Sequence, residues 1–200
     1  MNEGKKDRLI EATIELISEE GLASFSMKKA VLRAKTSETL IYQHFETKEN
    51  LFYHCFKKVN KEIEAVMTSF QWPVVSDKEE MLEIIHKNWL KYFQFLIKND
   101  YRTLFYLMYR NSSYIHQIDV EEKEKAYSFF NEFSQVYQAM DQNFHIGARV
   151  EMKCFWTYLM DLSASFAIRI IRGDLPDEQA TYDSIWNMLC GSISGLMEEK

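Results

Sequence analysis

The residues whose types and spacing could do chemistry lie between Ser26 and Leu51, and the chemistry they suit is recognition of a polyanion. Lys28, Lys29, Arg33, Lys35 and Lys48 stand against only Glu38 and Glu46, a net +3 between Ser26 and Lys48. The whole chain carries −6, so the remainder carries −9. A basic segment on an acidic body fits a protein that meets nucleic acid at one end only. Thr36, Ser37, Glu38, Thr39 and Gln43 form a polar cluster able to reach base edges. Gln43 can pair with adenine, Thr39 can touch a thymine methyl, and Glu38 can accept from cytosine. Lys28 can meet a phosphate, a contact that positions without reading sequence.

Such contacts need a rigid carrier, and the same stretch supplies one. Ser26 is an N-cap residue, followed by Met27, Ala30, Val31 and Ala34 at i, i+3, i+4 and i+7. That spacing predicts a helix from Met27 to Ala34 with one buried face. Ser37 caps a second helix running to about His44, pinned by Leu40, Ile41 and Phe45. Thr47 caps a third. Two short helices joined by a tight turn form a helix-turn-helix, whose second helix can enter a major groove. The competing reading is an ordinary solvated basic helix face.

Tyr42-Gln43-His44-Phe45-Glu46-Thr47-Lys48-Glu49-Asn50-Leu51 resembles the Tyr-x-x-Phe-x-x-Lys-Glu-x-Leu signature of the tetracycline-repressor (TetR) family of bacterial transcription regulators. Arg8 to Ala12 and Glu19-Glu20-Gly21 are similar to that family's first helix and its glycine terminator. The resemblance covers about the first fifty residues. It implies phosphate contacts from Tyr42, His44 and Lys48, to which Lys28 adds a further candidate. A tyrosine hydroxyl can donate to a phosphate, and Lys48 at a helix N-terminus joins a cation to free amides. Three positions depart from the family. Lys35 replaces the glycine of the turn, where positive φ costs a lysine on the order of 1 kcal/mol. Glu38 and Thr39 replace residues that are commonly basic or small.

The chain has 200 residues, 46% of them hydrophobic, with two prolines and six glycines. Few breakers and much Leu, Met, Glu, Lys and Phe predict an all-α fold of about nine helices. The expected division is a helix-turn-helix DNA-binding domain at 1–47 and a helical ligand-binding and dimerisation domain at 48–200. Cys55, Cys154 and Cys190 are far apart and read as buried reduced thiols. No signal peptide is visible, and no apolar run reads as a membrane span, so a cytoplasmic protein is expected.

A long helix from Lys48 to about Phe70 carries a sustained apolar stripe and is stopped by Trp72-Pro73. Ser76 and Glu79 form a capping box for a helix to about Lys98. Further helices are expected at about Tyr101–Ile115, after an Asp119-x-x-Glu122 cap to near Gln142, at about Ala148–Ile171, and from Pro176 to about Met197. The last two are apolar on more than one face and hold clusters of small residues. In the family this resembles, they form a dimer interface, placed here at Phe166, Ile170, Trp186, Leu189 and Ile193. A two-fold dimer would present two recognition helices to a palindromic site.

The family resemblance also implies a small-molecule effector. Phe105, Met108, Tyr109, Phe130, Tyr137, Trp156 and Met160 are candidates for a pocket suited to an apolar or aromatic ligand, against the plainer reading of core packing. Catalysis is not expected. Glu83-x-x-His86 has the spacing used in di-iron bundles, but it lacks the second such motif that those need. No phosphate loop, nucleophile elbow or zinc spacing occurs, and no cofactor or metal is expected. The sequence therefore reads as a homodimeric, ligand-responsive transcription regulator, most simply a repressor released by its ligand. The alternative is a helical small-molecule-binding or scaffold protein whose head has weak or no DNA affinity.

Overall fold

Helix α1 (Glu3–Glu20) opens the chain in a computed structural model that describes residues 3–73, 75–117 and 130–197, without the side chains of residues 3, 40, 117 and 130–132. Leu9, Ala12, Ile14, Leu16 and Ile17 are buried along it. Gly21 ends it at φ 83°, its N–H donating to the Ile17 carbonyl at 2.8 Å. Glycine takes that conformation without a Cβ clash. Helices α2 (Met27–Ala34), α3 (Glu38–His44), α4 (Lys48–Met67), α5 (Lys78–Lys98) and α6 (Asp100–Arg110) follow. Then come α7 (Phe130–Phe144), α8 (Met152–Ile171) and α9 (Gln179–Leu196). The described residues hold these nine α-helices and no strand.

Two compact units divide the chain. One comprises Met1–Ile63 and Asn99–Ala126, the other Glu64–Lys98 and Tyr127–Lys200. Contacts thus place α6 in the same unit as the head, apart from the functional division expected at residue 47. In the first unit α1 packs against both α2 and α6. Arg102 of α6 fastens that packing. Its NH2 donates to both Glu11 oxygens at 3.0 and 2.9 Å, and its Nε donates to Glu62 at 2.7 Å. Lys58 joins Glu11 at 2.8 Å. Burial opposes the charge on Arg102, but Glu11 and Glu62 outweigh it and hold the group above its ordinary pKa.

In the second unit α5 packs on α8 and α9. The Trp89 indole N–H donates to Ser163 Oγ at 3.0 Å, and Ser163 donates on to the Leu159 carbonyl at 2.5 Å. His86 lies flat on Trp186, ring centres 4.4 Å apart.

Several boundaries move from the sequence expectation. The cap of α5 is Asp77, whose Oδ1 accepts from the Glu80 N–H at 2.8 Å, so the Ser76–Glu79 box is displaced by one residue. Pro176 stands ahead of the last helix rather than opening it; Glu178 is the N-cap. Helix α6 stops at Arg110, and Ser113–Gln117 forms a 3-10 turn. The Asp119 cap and Glu122 lie outside the described residues. Helix α8 is long and apolar enough to cross a membrane by length and composition, contrary to the expectation that no run was. Phe155, Trp156, Leu159, Ser163 and Ala167 of that helix are nonetheless buried within the chain. Cys55 is buried, whereas Cys154 is exposed, because its position on α8 faces away from the core.

Candidate nucleic-acid interface

The supporting helix α2 buries Ala30 and Ala34, while Met27 and Val31 are half-buried. The Ala34 carbonyl accepts from Arg8 Nε of α1 at 3.4 Å. On α3, Ile41 is fully buried and Phe45 directly after the helix is too. The opposite side of α3 carries Glu38, Thr39, Tyr42 and Gln43, all exposed, and Tyr42 shows 62% of its surface. Tyr42 therefore offers its ring and hydroxyl to solvent on the outward side of the seven-residue helix. Ser37 is exposed and Thr36 half-buried at the start of the same face.

The turn between α2 and α3 is tight. Lys35 sits at φ 52°, ψ 52°, the left-handed conformation that the glycine at this place in the resembled family implies. Its N–H donates to the Leu32 carbonyl at 3.2 Å, and that of Thr36 to Val31 at 3.1 Å. Ser26 and Ser37 occupy N-cap positions with extended backbone, but neither side chain makes a cap hydrogen bond. Thr47 does cap α4: its Oγ1 accepts from the Asn50 N–H at 3.1 Å. Lys48 opens α4 exposed, beside first-turn amides that the helix itself cannot satisfy.

Charge on the head is distributed in a way that composition concealed. Lys29 binds Glu20 at 2.7 and 2.9 Å, and Arg33 binds Glu19 through two parallel hydrogen bonds of 2.9 and 2.8 Å. That hydrogen bond is the main reason the Glu19 carboxyl is held below its ordinary pKa. Two of the five cations counted in the segment are therefore matched by acids of α1. Lys28 and Lys35 are exposed and make no ion pair among the described residues. His44 is half-buried, and its Nε2 is shielded with no hydrogen-bond partner among the described residues. That nitrogen can reach a phosphate only after the ring turns.

Residues 9–55 match a family described as bacterial regulatory proteins, tetR family. The head belongs to the tetR family. Solved structures extend the likeness to the whole chain. A TetR family transcription regulator from Marinobacter aquaeolei VT8 is 18% identical, with a TM-score of 0.73 over 99% of this chain and 97% of that one. A TetR-like transcriptional regulator from Rhodococcus sp. RHA1 is 15% identical, TM-score 0.64, covering 96% of each chain. The fatty acid degradation regulator FadR from Bacillus halodurans is 16% identical, TM-score 0.66, over 92% of this chain and 97% of that one. At these identities the likeness shows a shared fold. No curated protein matches the sequence. The N-terminal segment thus carries a tetR-family helix-turn-helix of the DNA-binding kind, on a chain that shares its fold with TetR-type regulators.

The seven candidate pocket residues fall into two groups. Phe105 and Tyr109 are buried in the first unit, where Tyr109 stacks on Phe56 at 5.0 Å, and half-buried Met108 belongs to the same helix. Tyr137, Trp156 and Met160 belong to the second unit, and the Phe130 side chain lies outside the described residues. The Tyr137 hydroxyl donates to the Val150 carbonyl. Trp156 and Met160 line a cavity of about 20 Å³ together with Trp72, Trp89 and Tyr92. Sequence reasoning had taken Trp72 as part of a helix stop. The convergence of these residues on one cavity leaves no signal in local spacing.

The five residues expected at a dimer interface differ in their burial within the chain. Leu189 and Ile193 are fully buried within the chain itself, and Ile170 and Trp186 are nearly so. Of these, Trp186 meets His86 and Trp89 of α5, ring centres 4.4 and 5.4 Å apart. Phe166 is half-buried. The exposed large side chains on α8 and α9 are Tyr158 at 41% and Met188 at 52%. A hydrogen bond of 3.0 Å from the Tyr158 hydroxyl to Ser192 Oγ links the two helices there. Gly191 and Gly195 are also exposed on α9, with open space where a Cβ would stand.

Proposed function

We propose that this protein is a homodimeric tetR-family repressor that binds a palindromic operator and is released by a small molecule. The observation that carries the reading is the two-sided recognition helix. Ile41 and Phe45 lock α3 into the head, and Glu38, Thr39, Tyr42 and Gln43 are left facing outward. Thr36, Ser37, Glu38, Thr39 and Gln43 read bases; Lys28, Tyr42, Lys48 and a turned His44 hold phosphates. The exposed strip of Tyr158, Met188, Gly191 and Ser192 on α8 and α9 pairs with its own copy, which sets two heads on two half-sites. Effector binding in the second unit favours the arrangement unsuited to the operator, a shift limited by the effector's differential affinity for the two states. Such a protein works in the bacterial cytoplasm, where its operator is.

The pairing of Lys29 and Arg33 with Glu20 and Glu19 gives weight to a second reading, a ligand-binding helical protein with little DNA affinity. Fluorescence anisotropy against DNA from upstream of the gene, across a salt series, separates the two. A repressor binds selectively with a steep salt dependence, and Lys48→Ala lowers the log–log slope by about one unit. Binding that neither prefers any sequence nor responds to salt or to Lys48→Ala would remove the repressor reading.

A further inference from the structure

We propose that the cavity in the second unit takes a neutral, flat, two-ring apolar ligand bearing one hydrogen-bond acceptor, which the Trp156 indole N–H receives while the Trp72 ring gives way. The inference rests on the ligand-responsive reading above and names the chemistry of that site.

Three observations converge. Trp156 is 3% exposed, lines the cavity, and its Nε1 has no hydrogen-bond partner among the described residues. A buried donor without a partner costs about 1–3 kcal/mol, so a ligand acceptor that meets the Trp156 N–H gains over a ligand that offers none. The other polar groups of the lining are committed or are no match for a charge. The Asn88 amide donates to the Gln71 carbonyl at 3.0 Å and accepts from its N–H at 3.4 Å. The Trp89 N–H is held by Ser163 at 3.0 Å. No lining side chain carries a charge at neutral pH. A carboxylate, phosphate or ammonium ligand would enter without a counter-charge, at a cost far above the gain.

Size follows from Trp72. The cavity of about 20 Å³ holds roughly one water, so a ligand must displace something. Trp72 is half-buried and lies on the non-helical link between α4 and α5. Its ring meets Trp156 at 6.2 Å, Phe133 at 6.1 Å and Phe70 at 6.1 Å, in each case edge to face. Those are contacts any aromatic ring of similar size can reproduce. Trp89 and Trp156 are anchored in helices α5 and α8; Trp72 has no helical turn to hold it. The indole that swings out leaves a slot of two fused rings, which a ligand of that shape fills.

The test uses the full-length protein labelled with ¹⁵N at the indole nitrogens and two probes of matched shape, methyl naphthyl ketone and ethylnaphthalene. The ketone is expected to bind about tenfold more tightly by calorimetry and to shift the Trp156 indole proton, the ethyl compound leaving it in place. Trp156→Phe keeps an aromatic side chain without the N–H and brings the two affinities together. Trp72→Ala tightens both probes, since no indole has to leave. Equal affinities in the unaltered protein, no binding of either probe, or a ketone preference that survives Trp156→Phe would each overturn the proposal. Because the proton shift is read without any substitution, a variant that fails to fold does not blunt the test. DNA anisotropy on the same samples keeps the two readings apart. A ketone that binds with the shift but leaves DNA affinity unchanged supports the site and removes its regulatory role. A ketone that fails to bind removes the site and leaves DNA recognition untouched.

Discussion

Arg33 of α2 and Glu19 of α1 meet fork to fork, NH1 to Oε1 at 2.9 Å and NH2 to Oε2 at 2.8 Å. The pair occupies a cation that would otherwise add to the positive field of the head. Exposed pairs of this kind contribute about 0–1 kcal/mol to stability, so their larger effect is on the field. Glu19→Gln removes one negative charge and frees Arg33. We expect two- to fivefold tighter DNA binding at low salt, with the gain fading as ionic strength rises. Anisotropy titrations of the two proteins side by side measure it; equal affinity at low salt would show that the acids of α1 do not temper the head.

Lys35 holds φ 52° in the turn where the family resemblance places a glycine. A lysine there loses on the order of 1 kcal/mol to the clash of its Cβ with the backbone. Its side chain is exposed and makes no ion pair among the described residues, so little opposes the change. Lys35→Gly is expected to raise Tm by about 2–4 °C. Scanning calorimetry decides it, and an unchanged or lower Tm would mean that the flexibility glycine adds to the unfolded chain cancels the relief.

What the sequence revealed and what it hid follow one physical rule. The bounds of α2 and α3 and the Gly21 stop were legible because caps, turns and i, i+3, i+4 spacing act over a few residues; the left-handed Lys35 came from the family resemblance. The fold class was legible for the same reason as those bounds. Contacts between residues far apart in the chain were not. Arg102 lies 91 residues from Glu11, and nothing local marks them as partners. Trp72, Trp89 and Trp156 share one cavity without any shared period. Leu189 and Ile193 were expected at a dimer interface because the family resemblance puts one on the last two helices, and sequence alone does not rank the apolar faces of α9. Packing ranks them: these two are fully buried inside one chain, and Met188 is the residue left out.

Acid should weaken the fold through two histidines. Burial is the main cause of the lowered pKa of His54, with the charges of Lys6 and Lys57 adding to it. Burial likewise lowers His86, against a smaller opposing pull from Asp183. Each therefore binds its proton more readily in the unfolded chain, whose value is near 6.5. The unfolded state gains protons first as pH falls, so stability drops as the solution passes below about 6.5 and is level above it. His54→Gln should shrink that drop and leave the share due to His86. Urea midpoints at about pH 5 and about pH 7 give both quantities. A midpoint that is flat over this interval, or a drop undiminished in His54→Gln, would contradict the assignment.

Met188 is the sharpest test of self-association. It is 52% exposed on α9, next to exposed Gly191 and Ser192, and it packs little within its own chain. Met188→Asp should leave the fold nearly unchanged, since surface substitutions of this kind move stability by about 0.5 kcal/mol. Across a two-fold axis the same position meets its own neighbourhood, so one substitution places two carboxylates in an apolar contact. Desolvating them without partners costs several kcal/mol, enough to shift a dimer to monomer at micromolar concentration. Light scattering after size exclusion reads the mass directly. Operator affinity should fall in parallel, because a single head keeps only one half-site's contacts. A variant that remains dimeric would place the interface elsewhere, and a monomer with full operator affinity would show that pairing on α8 and α9 has no part in DNA recognition.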